Sequence, residues 1–559
     1  MILMVNIEEK LSSEKFQKAA MYTIFGFFLL IVIIPTIFVF GAVITEWQTV
    51  YLWVFNDPII GDARYRYMTL ALTRSFQISI VVTIIDILIG LPMALILARS
   101  EFRFKSYIDT LIDLPMAVPT SALGFSIFLF WGTSFGLSGL LGLETGLVSL
   151  GPMLIILAHI AFTYPFIVRS LKAVIEEVDR RIEYAARTLG ARSFTVFRTI
   201  TLPLTIEGLI AGSILAFTRS LGETGATLIV AGVFETAPIV VVTWRKLLQI
   251  PATAFLSMIL VTISVLLLAA TKILSRRFGI PLKKIYPGPE KLLSSPVFRR
   301  GRDVITFSIF VLLVFLPSIY TFSYVATWWS GSPYTGRVEA GVYYQVFLAP
   351  DMKWTRLWAA LLTSLAIASL TTIINFVFGL PMAFLMVRRN WGRLRGIIDS
   401  LIDVPLAVPT SALGFSLFLF WDRCLHLVGT GFWLILLVHV TFTYPYMVRP
   451  LIAVVEGIDK ELEEAARSLG APPLTTFRTV TLPSIKSGIL AAGIMTFTRS
   501  LSETGATIVV MGIDRTIPVL IVDWVEAQAL QAASLASVIL IIISYSLLLL
   551  VRHLTKEGK

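Results

Sequence analysis

Twelve apolar stretches, most of them long enough to cross a hydrocarbon layer, constrain this chain more than anything else in it. Six fall near residues 20–45, 71–98, 108–131, 147–170, 206–231 and 252–274. Six more fall near 304–328, 358–387, 397–421, 430–450, 487–511 and 531–551. About 20 residues of helix span a bilayer core of roughly 30 Å. Only helices and closed barrels satisfy every backbone group there, so the pattern predicts an all-α polytopic membrane protein. Composition agrees, with 56% hydrophobic and 14% charged residues. The first stretch is too long for a signal-peptide core and reads as a retained span.

The twelve are two sets of six. "LIDLPMAVPTSALGFSIFLFW" at 111–131 returns as "LIDVPLAVPTSALGFSLFLFW" at 401–421, identical at 18 of 21 positions. "HIAFTYPFIVR" at 159–169 returns as "HVTFTYPYMVR" at 439–449, and "GLPMA" stands at both 90–94 and 379–383. The organisation expected is one six-span repeat over 1–275, a basic linker over 276–303 and a second repeat over 304–559. An even number of spans starts and ends each repeat on the same side of the membrane. The repeats are therefore parallel, related by a pseudo-two-fold axis along the membrane normal, with equivalent helices facing across a central seam.

Residues 272–303 carry nine Lys and Arg against two acids. Basic loops of this length stay cytoplasmic, which places both termini and the loops after spans two and four inside a prokaryotic cell membrane. Arg245 and Lys246, on the outer side in this scheme, fit it less well. The net charge of +11 sits beside spans and marks no nucleic-acid surface. The single cysteine, Cys424, allows no intrachain disulfide, and four scattered histidines predict no metal site.

The loops after span four, within 170–205 and 450–485, are polar and helix-forming. "VIEEVDRRIEYAARTLGARSFTVFRTITLP" at 174–203 matches "VVEGIDKELEEAARSLGAPPLTTFRTVTLP" at 454–483. Glycine suits a left-handed cap at the end of such a helix. A short helix on the membrane face, ended by Gly190 or Gly470, offers a separate protein something to grip. A surface amphipathic helix without a partner is the plainer alternative.

The word "E-x-A-A-R-T-L-G", followed nine residues later by "I-T-L-P", resembles the signature loop of permeases of binding-protein-dependent ABC importers. Both copies fit, with Val480 for the isoleucine in the second and Tyr184 in place of the usual glutamate in the first. The resemblance implies a type I importer fold in which each loop inserts a coupling helix into a cytoplasmic ATPase subunit. It assigns that role to Glu183, Ala185, Ala186, Arg187 and Gly190, and to Glu463, Glu464, Ala465, Ala466, Arg467 and Gly470. No G-x-x-x-x-G-K-[ST] phosphate loop occurs in the sequence, so no cofactor is expected in this chain. The chain itself is expected not to be an enzyme. ATP and Mg²⁺ would be bound by two partner ATPase subunits, and the substrate delivered by an extracytoplasmic binding protein.

"TRSLGETGAT" at 218–227 returns as "TRSLSETGAT" at 498–507. Ionisable residues at that depth should face the bundle interior or a water-filled cavity. Arg219 and Glu223 lie four apart on one helix face and can pair, as can Arg499 and Glu503. With Ser220, Thr224 and Thr227, and with Ser500, Thr504 and Thr507, they form a candidate gate or pathway lining. An ion pair that only fixes helix packing is the competing reading. Pro119, Thr120 and Ser121, with Pro409, Thr410 and Ser411, are a second candidate lining. Proline inside a span is tolerated where backbone lines a cavity or packs closely.

The wording is similar to that of molybdate, tungstate and sulfate permeases, and the fused layout to that of ferric-iron and thiamine permeases. An inorganic oxyanion is the favoured substrate, although charge does not decide, since each arginine has a glutamate beside it. A twelve-span secondary transporter and a membrane enzyme are the alternatives from other classes. The first would not need the long loop after span four, and the second lacks a convergent catalytic set.

Overall fold

The computed structural model describes residues 13–274 and 287–556. In the first repeat the helices are α1 (Lys15–Thr45), α2 (Trp47–Phe55), α3 (Ala63–Arg99), α4 (Lys105–Ile112), α5 (Thr120–Gly132) and α6 (Pro152–Glu177). There follow α7 (Arg180–Thr188), α8 (Ser193–Leu221), α9 (Gly225–Val230), α10 (Ala237–Lys246) and α11 (Ile250–Leu274). A short linker helix, α12 (Pro287–Leu293), precedes the second repeat. That repeat holds α13 (Pro296–Thr327), α14 (Lys353–Arg388), α15 (Leu394–Ala407), α16 (Thr410–Cys424) and α17 (Phe432–Glu456). It ends with α18 (Lys460–Ser468), α19 (Pro473–Leu501), α20 (Gly505–Val510), α21 (Ile517–Glu526) and α22 (Leu530–Lys556). Among the described residues eleven helices are long and apolar enough to span, or twelve if the bent pair α15–α16 is one span.

Two expectations need correction. Span three is not one helix in either repeat. Val118 and Pro119 are extended (ψ 132° and 136°), so the chain breaks before α5. In the second repeat α15 and α16 meet at 103°. A residue before proline is pushed out of the helical region, so Val118 and Val408 end the first helix and Pro119 and Pro409 open the second. Span five is likewise two helices. α8 stops at Leu221 and α9 starts at Gly225, as α19 stops at Leu501 and α20 starts at Gly505.

The expected linker also has structure beyond residue 286; residues 276–286 lie outside those described. α12 docks on the first turns of α8, where Glu290 pairs with Arg198 at 2.7 Å and accepts from the Thr195 hydroxyl at 2.6 Å. Ser295 then caps α13 by accepting from the Phe298 amide, so that helix begins at Pro296 instead of near 304.

Each repeat's first span packs on the other repeat. Phe28, Val32 and Ile33 of α1 share a core with Met382, Tyr444 and Met447. Phe310 and Val314 of α13 share one with Met93, Tyr164 and Val168. Both first spans carry a widened helical turn just before a proline, at Phe28–Ile33 ahead of Pro35 and at Phe310–Phe315 ahead of Pro317. Proline breaks the regular ladder, and a serine of the opposite repeat enters there. Ser416 donates to the Pro35 carbonyl at 2.7 Å and accepts from the Val39 amide at 3.1 Å. Ser126 does the same for Pro317 and Thr321.

Candidate functional site

Two regions recur in both repeats, and the first is the loop after span four, which the sequence expects to be the coupling loop. Asp179 and Asp459 cap α7 and α18 by accepting from the amides two residues on. Gly190 and Gly470 end them at φ +89° and +87°, a backbone conformation that costs a side-chain-bearing residue about 1–2 kcal/mol. The Ala191 amide donates to Ala186 and the Gly190 amide to Arg187, closing a left-handed cap. Glu183 is buried and turned inward. It meets Arg99 at the end of α3 at 3.0 Å and accepts from the Thr201 hydroxyl at 2.8 Å. Glu463 repeats this with Arg388 at 3.1 Å and Thr481 at 3.0 Å. These two glutamates therefore tie the loop helix to spans two and five. What the loop offers outward is Tyr184, Ala185, Arg187 and Leu189 in one copy and Glu464, Ala465, Arg467 and Leu469 in the other, all exposed. Ala186 and Ala466 are half-buried beneath them.

The second region is the seam at the two breaks in span five. A side-chain carbon on Gly225 would stand 2.9 Å from Thr504 Cβ, and one on Gly505 would stand 2.8 Å from Thr224 Cβ. The breaks thus touch across the pseudo-two-fold axis, with room only for glycine. The same constraint holds α5 to α9, since a carbon on Gly124 would fall 2.6 Å from Ala226 Cα. Gly414 repeats it against Ala506.

The expected ion pair forms in the first word, where Arg219 meets Glu223 at 2.9 Å, while Arg499 and Glu503 are not paired; in both words the arginine faces a cavity and the glutamate caps the next helix. Glu223 and Glu503 are 3% and 6% exposed. Each accepts from the first turn of the following short helix, Glu223 from the Ala226 amide at 3.2 Å and Glu503 from the Ala506 amide at 3.0 Å. Arg219 and Arg499 instead line two cavities of about 410 Å³ each. The first cavity also touches Asp113, Thr120 and Arg169, and the second Asp403, Pro409 and Thr410. Both therefore run from the coupling-loop end of the bundle up to the breaks. Past the breaks in the chain, α10 and α21 bury Val240, Val241, Ile521 and Val522.

The duplicated cores also match a known family description. "Binding-protein-dependent transport system inner membrane component" fits residues 87–280 and again 375–557. The chain belongs to this family.

The permease thus carries two family domains in tandem, in a multi-pass inner-membrane protein. It is similar to the molybdate/tungstate transport system permease protein of Methanocaldococcus jannaschii, 34% identical over 200 residues, or 36% of this chain and 78% of that one. The molybdenum transport system permease protein of Mycobacterium tuberculosis is 36% identical over 204 residues, 35% of this chain and 75% of its own. The sulfate transport system permease protein CysT of Salmonella typhimurium is 33% identical over 239 residues, 42% and 83%. Membership sets aside the secondary-transporter and enzyme alternatives.

The other expected lining residues are divided. Thr120, Thr410 and Pro409 reach a cavity, while Ser121 and Ser411 are fully buried and their hydroxyls have no partner. Pro119 makes the break and borders neither cavity. Ser220 and Thr227 border neither cavity. His159 bridges them at 2.8 and 2.9 Å, clamping both sides of the span-five break to α6. His439 holds Ser500 and Thr507 in the same way, at 2.8 Å each. The histidines stand inside the repeated "H-x-x-F-T-Y-P" words, and that repetition was the signal that they are not scattered. Sequence reasoning also missed Arg169, which grips Asp109 and Asp113 at 2.7 Å each, and its counterpart Arg449 on Asp399 and Asp403. The Arg245 guanidinium lies 3.9 Å over the Phe418 ring, a cation–π contact.

Proposed function

We propose that the chain supplies both halves of the translocation pathway of an ATP-driven importer for an inorganic oxyanion of the molybdate, tungstate or sulfate type. One observation carries the substrate class. The cavity wall presents the guanidiniums of Arg219, which is paired with Glu223, and of Arg499, which has no carboxylate partner among the described residues, while the bordering Asp113 and Asp403 are each paired with an arginine, Arg169 and Arg449. A pathway lined by guanidinium suits an anion and opposes ferric iron or thiamine. The names of the relatives agree with that class.

In this reading α7 and α18 are coupling helices, each seated in one of two cytoplasmic ATPase subunits that bind ATP and Mg²⁺. Both termini are cytoplasmic, and an extracytoplasmic binding protein delivers substrate to the closed end of the seam. The conformation is the one open toward the ATPase side, since both cavities lie between the breaks and the coupling loops.

The test is uptake into vesicles holding the permease, its ATPase and its binding protein. Labelled molybdate or sulfate should enter only with ATP, and unlabelled tungstate should compete. Uptake of ferric iron or thiamine, with none of any oxyanion, would overturn the reading.

A further inference from the structure

The two repeated words are nearly identical in sequence but wired differently. Arg219 closes on Glu223 at 2.9 Å. Arg499 has no carboxylate of the described residues within 4.0 Å, although Glu503 stands one turn away. Its guanidinium lies 5.3 Å from the ring centres of both Phe442 and Tyr446, and its Nε is buried with no hydrogen-bond partner. The facing wall differs too. Tyr446 borders both cavities, and the matching position in the first repeat is Phe166, which has no hydroxyl.

One Arg499 donor meets the Tyr446 hydroxyl and none meets a carboxylate among the described residues, so its other donors can serve a tetrahedral oxyanion through charge-assisted bonds, which are the strong ones. Both arginines stack on the matching phenylalanine, Arg219 on Phe162 at 5.5 Å, but Arg499 alone has a second ring, Tyr446, to fix its orientation beforehand. A carboxylate at 2.9 Å takes up part of the donor set of Arg219 and offsets its charge.

We infer that the anion in the seam is held asymmetrically, by the Arg499 guanidinium together with the Tyr446 hydroxyl, with Arg219 the lesser contact. A permease that pairs two copies of one chain has identical walls, whereas the tandem fusion lets one wall specialise. The inference rests on the oxyanion reading above.

The test uses the full permease–ATPase complex in vesicles with saturating binding protein and molybdate as the probe. It reads the maximal uptake rate, the melting temperature and the ATPase rate per assembled complex. Arg499→Gln should lower uptake roughly tenfold, and Tyr446→Phe about threefold, the scale of losing one charge-assisted and one ordinary hydrogen bond. Arg499→Lys should recover part of the loss. Arg219→Gln, made with Glu223→Gln so that no lone carboxylate remains, should lower uptake less than Arg499→Gln does. Moving the hydroxyl, by Phe166→Tyr in the Tyr446→Phe background, should not restore the rate. If Arg499→Gln fails to assemble, Tyr446→Phe and the hydroxyl transfer still decide.

Equal losses at Arg219 and Arg499, or restoration by Phe166→Tyr, would show a symmetric site and overturn the inference while leaving the oxyanion reading intact. A wild-type complex that transports neither molybdate nor sulfate would instead bring down the reading itself.

Discussion

Glu223 holds Arg219 at 2.9 Å with one carboxylate oxygen and accepts from the Ala226 amide with the other. It is therefore both the counter-ion of a cavity residue and the cap of the short helix that seals the seam. One side chain thus joins a charge at the cavity wall to the first turn of α9.

If the words form a gate, Glu223→Gln with Glu503→Gln should change basal ATPase activity and the accessibility of cysteines placed in the cavity, with assembly retained. Removing one partner of a buried pair costs roughly 3–5 kcal/mol, enough to shift a two-state equilibrium decisively. If the pair only packs helices, the double variant should lose thermal stability while stimulation by loaded binding protein stays normal per folded complex.

Coupling should depend on the surface at Gly190 and Gly470. Nothing lies within 4 Å of a side-chain carbon built on either, so a bulky residue there meets the ATPase before it meets the fold. Replacing both with leucine should cost about 1–2 kcal/mol of local strain at each position and uncouple transport from ATP hydrolysis. Normal uptake per ATP hydrolysed in that variant would refute the assignment of the coupling helices.

The spans, the duplication and the loop word were legible because each rests on a signal that one sequence displays: apolar length, self-similarity, or a compact motif. The breaks in spans three and five were not. Apolar length runs on past Pro119 and Gly222–Thr224, and proline alone does not mark a break, since Pro92 and Pro165 sit inside continuous helices. The split roles of Arg219 and Glu223 were hidden for a related reason. Spacing puts the two on one face, but the helix ends between them, so the glutamate turns to α9. The crossing of α1 onto the second repeat depends on Ser416 meeting Pro35, two residues 381 positions apart.

That crossing gives a stability prediction. Ser126→Ala with Ser416→Ala leaves the Pro35 and Pro317 carbonyls and the Val39 and Thr321 amides without their bridging hydroxyls. The cost should be about 1–3 kcal/mol per site. A thermal melt in detergent should show a lower transition temperature for the double variant than for either single one. An unchanged melting temperature would mean that the serines do not clamp the first spans.

A second polar contact of the core tests how strictly the repeats match. Asn375 donates to the Thr443 hydroxyl at 2.9 Å and to the Val440 carbonyl at 3.1 Å, while Thr443 donates to His439. In the first repeat Asp86 lies 2.5 Å from the Thr163 hydroxyl, which also lies 2.6 Å from the His159 carbonyl. A hydroxyl has one proton to give, so an amide at position 86 can reproduce the arrangement of the second repeat. Asp86→Asn should leave stability and uptake within about twofold of wild type, whereas Asp86→Leu should destabilise by about 1–3 kcal/mol. Equal stability of the two variants would contradict the donor role.

The central claim is that one chain supplies both halves of a pathway driven by an ATPase pair. The mass of the intact complex, measured after gentle extraction from the membrane, tests it most directly. The account predicts one copy of this chain with two ATPase subunits, one on α7 and one on α18. Two copies of this chain per ATPase pair would contradict it.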